Sequence, residues 1–409
     1  MIAGTGLRTL ALALIASAAI AGEAPFAEAD AESWPMARGC VEGSGRSGST
    51  VTLPLREAWQ RRFDGTAFEA TPIIANGMVY VGDLDGTFHA LSLSTGETRW
   101  SLKGEAGFSA AAAFVTTVAE SSGGPTSLVV AGDSFGVVRA FDAKTGKIAW
   151  EHERDGEISG GPSVMVDPAD GGQARILVGS QDASLVCLSA ANGKEIWSHS
   201  IADQIRCMPT VVAGRILIAG CDGRLHAIDA ATGRPTGEVA IDGPTGTTPA
   251  GLGTAVFFGT EGGTFYRIDV AATADVAPAI RWRMKAAGGG QSYRSSAAIA
   301  EGPTGPLAIV GTRGRAVEAF SAADGSRLWR AAMRGKVDAS SVVVRVGETG
   351  AAVIAADTAG RIAALRPDDG SELWTFDAGG GFTASPAVAA GRVVLAGEDG
   401  TVWCFGGAE

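Results

Sequence analysis

One pattern recurs eight times along this chain of 409 residues, and nothing else constrains its fold as tightly. It reads VYVGDLDGTFHALSLSTGETRW over residues 79–100, VVAGDSFGVVRAFDAKTGKIAW over 129–150 and LVGSQDASLVCLSAANGKEIW over 177–197. Further copies start at Leu217, Val256, Ala308 and Val353, and a shortened one at Val393. The tryptophans keep step: 41 residues separate Trp59 from Trp100, 50 separate Trp100 from Trp150, and 47 separate Trp150 from Trp197. Trp282, Trp329 and Trp374 continue at steps of 47 and 45. The gap of 85 residues from Trp197 to Trp282 holds two copies, because the fourth has Gly237 in place of tryptophan. A unit of about 40–50 residues cannot bury its apolar face alone and must stack against its neighbours.

Each unit parses into four strands. A small-residue strand leads, as in FEATPIIA from Phe68, and an apolar strand follows. A turn such as Asp83-Leu84-Asp85-Gly86 reverses the chain into a third strand of alternating pattern, and a Thr-Gly turn leads to the fourth strand and its tryptophan. Period-two alternation cut by Gly and Asx turns is the mark of antiparallel hairpins. Four antiparallel strands per unit, eight times over, predict an all-β chain folded as an eight-bladed β-propeller.

The chain ends fit a closed ring. The eighth copy stops near Phe405, short of its outer strand, while LREAWQRRF around Trp59 precedes the first copy without a partner. Placing that N-terminal strand on the last blade leaves no open sheet edge. The predicted propeller spans residues 56–405, preceded by a Gly/Ser-rich arm at 22–55 that lacks periodicity and packs along it. Insertions at 119–127, 167–174, 271–278, 301–306 and 347–350 all fall on one face, and the other face has short, uniform turns.

Composition narrows function by exclusion. A net charge of −11 without a basic run argues against nucleic acid or an anionic membrane surface as partner. Arg8 precedes an apolar run from Leu10 to Ile20, with Ala19 and Ala21 in an A-x-A pattern. That run is too short to span a bilayer and reads as a cleaved signal peptide, residues 1–21. No cysteine follows it closely, Cys40 lying too far on for a lipid anchor, and no later segment reads as transmembrane. The expectation is a monomeric propeller, periplasmic or secreted.

The segment AFDAKTGKIAW, residues 140–150, resembles the tryptophan-docking repeat of the pyrroloquinoline quinone (PQQ) superfamily: a leading Ala, an Asp two later, Thr-Gly, then Trp four after the Gly. Residues 90–100 match with Ser92 for the Asp, and 227–237 keep Asp229, Thr232 and Gly233 but lose the Trp. Eight registered copies over residues 56–405 make the likeness specific. It implies an eight-bladed propeller, and the size is similar to the non-enzymatic, BamB-like branch rather than the quinoprotein dehydrogenases. On physical grounds, Trp59, Trp100, Trp150, Trp197, Trp282, Trp329 and Trp374 can each lay an indole on the neighbouring blade and bond its N–H to a carbonyl there.

Other constellations carry less. The resemblance implies adjacent cysteines and Ca²⁺ ligands for a working quinoprotein, whereas Cys40, Cys187, Cys207, Cys221 and Cys404 include no adjacent pair. Cys207 and Cys221 flank a hairpin read as centred on Gly214, which would set them opposite each other and permit a disulfide; the alternative is two small apolar thiols. The four histidines have no carboxylate or Cys at ligand spacing, and structural roles account for them. Asp83, Asp85, Asp133, Asp182, Asp222, Glu261, Asp357, Glu398 and Asp399 crowd the short turns. They either bond local backbone or create a negative face for a basic partner. Unlike residues open the innermost strands at one repeat position, and Glu69, Arg206, Arg294 and Asp338 among them are candidates for binding at the channel mouth. The combined reading is a protein-binding scaffold of the cell envelope, similar to BamB, with no cofactor and no catalytic centre. The alternatives are a quinoprotein oxidoreductase or degenerate relative, and a carbohydrate- or small-ligand-binding propeller.

Overall fold

The structure is a computed structural model that describes residues 28–118, 124–167, 172–271, 276–287 and 291–407. The expected signal peptide lies outside these. Among the described residues every regular element is a β-strand, and 33 strands form eight sheets. Blade 1 runs outward from Ile73–Ala75 through Met78–Gly82 and Thr87–Ser92 to Thr98–Lys103, each strand antiparallel to the last. Six more blades repeat this order, and the innermost strands of neighbouring blades abut around a central channel.

Blade 8 is completed from both ends of the chain. Ala387–Ala389, Arg392–Ala396 and Thr401–Gly406 supply three strands, and Arg56–Arg62 supplies the outer one, with Trp59 opposite Cys404. The ring expected from the unpartnered Trp59 segment therefore closes as an eight-bladed β-propeller.

The core lies between blades. Along Met78–Gly82, Val79 and Val81 pack toward blade 8 while Tyr80 packs with Phe141 of blade 2. Alternate side chains thus serve opposite interfaces, which is why the second strands read as unbroken apolar runs. The tryptophans join the blades. The indole N–H of Trp59 donates to Leu93 O at 2.8 Å, Trp100 to Ala143 O at 3.0 Å and Trp150 to Ala190 O at 3.0 Å, each on the next blade. Trp282 donates to Ala322 O at 3.1 Å and Trp329 to Pro367 O at 2.6 Å.

Six of the rings cover a glycine in the next blade's turn between third and fourth strands: Gly96, Gly146, Gly193, Gly233, Gly325 and Gly370. A Cβ on Gly146 (φ +71°) would come within 2.6 Å of Trp100, so the motif pairs this glycine with the previous blade's tryptophan. Trp197 lies on Gly233 in the same way, but its N–H has no hydrogen-bond partner among the described residues. Trp374 packs against Phe376 and Phe405 instead, the outer strand of blade 8 being Arg56–Arg62 rather than a continuation of Thr401–Gly406. At the tryptophan-free position, Ala277 and Pro278 fill the space beside Gly237.

The arm runs inside the channel. Innermost strands present unpaired backbone groups to the axis, and residues 34–47 satisfy them blade by blade. Trp34 exchanges two bonds with Ile74 of blade 1, and Pro35 O accepts from Phe114 N of blade 2 at 2.7 Å. Ala37 and Val41 of the arm and Val164 of blade 3 pack against one cluster of Met36, Ala113 and Met208. Val41, Glu42, Ser44 and Gly45 carbonyls then accept from Val211, Gly251, Ile299 and Val343 of blades 4 to 7, at 2.7–2.9 Å. Arg46–Val51 adds a parallel strand to Val342–Val346, and Ser47 Oγ donates to Val388 O of blade 8 at 2.9 Å.

One register differs from the sequence reading. Ala213 (φ 51°) and Gly214 (φ 74°) form a two-residue turn, and the strands pair Thr210 with Leu217. That ladder continues Cys207 toward Gly220, not Cys221, and a slip of one residue exchanges faces. Cys207 is buried among Ile205, Ile216 and Ile218 while Cys221 sits in the turn at the channel mouth. Both thiols are free, so of the two alternatives read for this pair the structure has the unbridged one.

Candidate functional site

The channel end opposite the arm is ringed by two tiers of side chains. The segments leading into the innermost strands form one tier. The turns between second and third strands form the other, pinned by bonds such as Leu84 N to Ala67 O at 3.0 Å and Arg313 N to Ser292 O at 3.2 Å. The four predicted mouth residues do not converge. Glu69 is exposed and shares its side with Glu398 and Glu157; its carboxyl is pushed up by partial burial and then by those two charges. Across the channel, Arg206 donates to Gln204, and Arg294 lies 3.4 Å from Glu261. Asp338 is held by Arg313 at 3.1 Å. The mouth is thus polarised, with an acidic wall on blades 8, 1 and 3 and arginines on blades 4 and 6.

The acidic turns serve two purposes. Asp83, Asp133 and Asp357 are buried and accept backbone N–H bonds, for example from Thr87 at 2.7 Å, Val137 at 2.9 Å and Gly335 at 2.8 Å. They shape turns and add little surface charge. Of the two readings of the turn carboxylates, local backbone bonding thus holds for these three, while Asp85, Glu261 and Glu398 stay exposed.

Asp83 also binds a histidine, at 3.0 Å from His89 Nε2, and His89 Nδ1 lies 3.0 Å from Ser101 Oγ. This line of Ser, His and Asp was invisible as a motif because its members come from a turn and two strands. Its recurrence argues for structure: blade 2 uses Asp133, Arg139 and Glu151 at the same positions, and blade 4 uses Asp222, His226 and Glu238. A turn aspartate, a third-strand donor and a fourth-strand acceptor form a cross-strand brace. The carboxylates beside His89 and His226 thus act as brace partners. Among the described residues, however, no three His, Cys, Asp or Glu side chains are arranged to hold a metal ion.

Two mouth residues escaped notice in the sequence. Leu84 and Phe135 occupy neighbouring turns where other blades carry Asp, Gly, Ala or polar residues, and Phe135 is 67 % exposed. An apolar residue in a turn otherwise built from Asx and Gly was the available signal.

Ring, blade count and tryptophan docking define the class, a PQQ-type repeat propeller of eight blades. A family model described as outer membrane protein assembly factor BamB matches residues 56–154, 134–234, 181–318 and 312–408, and the chain belongs to that family. BamB of Nitrosomonas eutropha is 27 % identical over 204 residues, 48 % of this chain and 45 % of the relative. BamB of Bordetella pertussis is 28 % identical over 200 residues, 47 % of each. The matched segments thus span about half the length of these curated relatives. A quinohemoprotein alcohol dehydrogenase of Comamonas testosteroni is 31 % identical over 116 residues, 24 % of this chain and 16 % of that one. The solved quinohemoprotein alcohol dehydrogenase of that organism superposes with a TM-score of 0.66 over 92 % of this chain and 81 % of its own, at 13 % identity. The designed Ika8 protein gives 0.66 over 86 % and 99 %, at 14 % identity. Such identities show the fold alone. No helix among the described residues is long and apolar enough to cross a membrane.

Proposed function

We propose that this protein is a binding scaffold of the cell envelope whose open face docks a protein partner, as the BamB relatives suggest by their name. The observation that carries this reading is the asymmetry of the channel. The chain's own arm fills one end, and the other presents exposed Leu84 and Phe135 between an acidic wall and Arg206 and Arg294. Apolar anchors with flanking charges of both signs suit a protein segment. Photo-crosslinkers at positions 84 and 135 should trap an envelope protein, and one at Val118, exposed on the arm side, should not. Equal labelling from both faces would refute the reading.

The likeness to quinohemoprotein dehydrogenases motivates a second reading, a quinone-dependent oxidoreductase. The residues present do not fit that cofactor: no two cysteines are adjacent, and the arm occupies the channel beside the innermost strands. Adding the quinone with Ca²⁺ and following its absorption separates the readings, since a scaffold leaves the spectrum unchanged.

A further inference from the structure

We infer that the cleft between blades 1 and 2, on the face opposite the mouth, binds an anionic sugar. The cleft holds about 560 Å³, and Arg99 and Lys144 line it from different blades. Arg99 belongs to the outer strand of blade 1, one residue before the docking Trp100. Lys144 belongs to the turn of blade 2 on which that ring lies, two residues before Gly146. Tryptophan docking therefore brings the two cations to one seam.

This pairing is peculiar to the seam. At none of the other five docked seams do both repeat positions carry a cation; the next two hold Ala149 with Ala191 and Ile196 with Ala231. Lys144 forms no ion pair among the described residues, and Arg99 comes only within 3.9 Å of the exposed Glu97. Asp142 also lines the cleft, but it is engaged by its own turn. Its Oδ1 accepts from the Thr145 N–H at 2.8 Å and from the Thr145 hydroxyl at 2.6 Å. The lining is thus net positive on a chain of net charge −11. Like charges gathered at one seam are destabilising, and an anion held between them reverses the sign.

The rest of the lining suits a hydroxylated ring rather than a bare anion. The side chains of Asn76 and Thr126 make no hydrogen bond among the described residues. An amide and a hydroxyl can each donate and accept, as neighbouring sugar hydroxyls require. Met78, Tyr80 and Ala143 supply an apolar floor for the C–H face of a ring. That floor is held in place, because Ala143 O accepts from Tyr80 Oη at 3.2 Å and from Trp100 Nε1 at 3.0 Å. The charge on the sugar is a phosphate ester or a carboxylate, since both match a guanidinium and an ammonium. The site lies away from the mouth and does not rest on a partner docking there.

Calorimetric titration of the full chain at constant ionic strength tests the cleft. The probes are glucose 6-phosphate, glucuronate, glucose and inorganic phosphate. Tightest binding of glucose 6-phosphate points to a phosphorylated sugar and tightest binding of glucuronate to a sugar acid; either supports the site. Glucose and inorganic phosphate should each bind about tenfold more weakly than the favoured probe. Arg99→Gln and Lys144→Gln should each weaken that probe about fivefold. Both side chains are exposed, so an unchanged urea midpoint should show that the variants fold. No binding of any probe, equal affinity for glucose or inorganic phosphate, or equal affinity in both variants would overturn the assignment.

Discussion

The two ends of the channel are built from the same eight repeats and have been put to different uses. At one, the arm threads past every blade and satisfies the innermost edges, with Trp34 fully buried and Arg38 bridging blades 6 and 7. At the other, Glu69, Arg206 and Arg294 reach solvent and the exposed Leu84 and Phe135 are left uncovered. A repeat fold leaves eight identical edges facing its axis, and covering them at one end frees the other for recognition. The lesson is that stability and binding can be separated along one axis of a symmetric scaffold.

Substitutions can break that comparison. Trp34→Ala removes a buried indole from the arm's anchor on blade 1, and should cost about 3–5 kcal/mol by urea denaturation. A neutral result would mean that the arm is not structural. Gly146→Ala drives a methyl toward the Trp100 ring and strains a positive φ, so a loss of about 2–3 kcal/mol is expected. Gly77→Ala has a similar φ of +70° but open space around it, and should cost only about 1 kcal/mol; the difference isolates the docking contact. At the open end, Arg206→Glu with Arg294→Glu should leave stability within about 0.5 kcal/mol while abolishing partner crosslinking.

The smallest effect depends on pH. Because the Glu69 carboxyl is raised by burial and by Glu398 and Glu157, its charged form is disfavoured in the fold. The native state therefore loses stability as pH rises through that raised value. Glu69→Gln should gain about 0.5 kcal/mol or less at pH 7, solvent screening included, and the gain should vanish in acid, where the carboxyl is protonated in folded and unfolded chains alike. A gain independent of pH would remove the acidic wall from the account.

Blade count and closure were legible because each repeat carries its own signals, and because a lone Trp59 strand needs an edge to join. The Cys207–Cys221 register was not, since reading the turn around Gly214 ignored that Ala213 also takes positive φ. The equivalent Asn76-Gly77 turn, with φ of 52° and 70°, held the answer in a more familiar residue pair. The arm's course was illegible for a deeper reason. Its partners lie on eight different blades, so no local periodicity marks it. The mouth was half legible: its positions followed from the repeat, but Asp338 is neutralised by Arg313 and the turn acids are largely spent on backbone.

The closing strand also sets the order of assembly. Arg56–Arg62 leaves the ribosome long before its partner Thr401–Gly406, and the arm meets blades 1 through 8 in nearly the order in which they are made. Arg56–Arg62 must therefore wait for its partner strand while seven sheets form. Sealing the last one locks in a thread that was laid first. Pairings so distant in sequence make for slow folding, and the nascent chain is most vulnerable to aggregation during that wait.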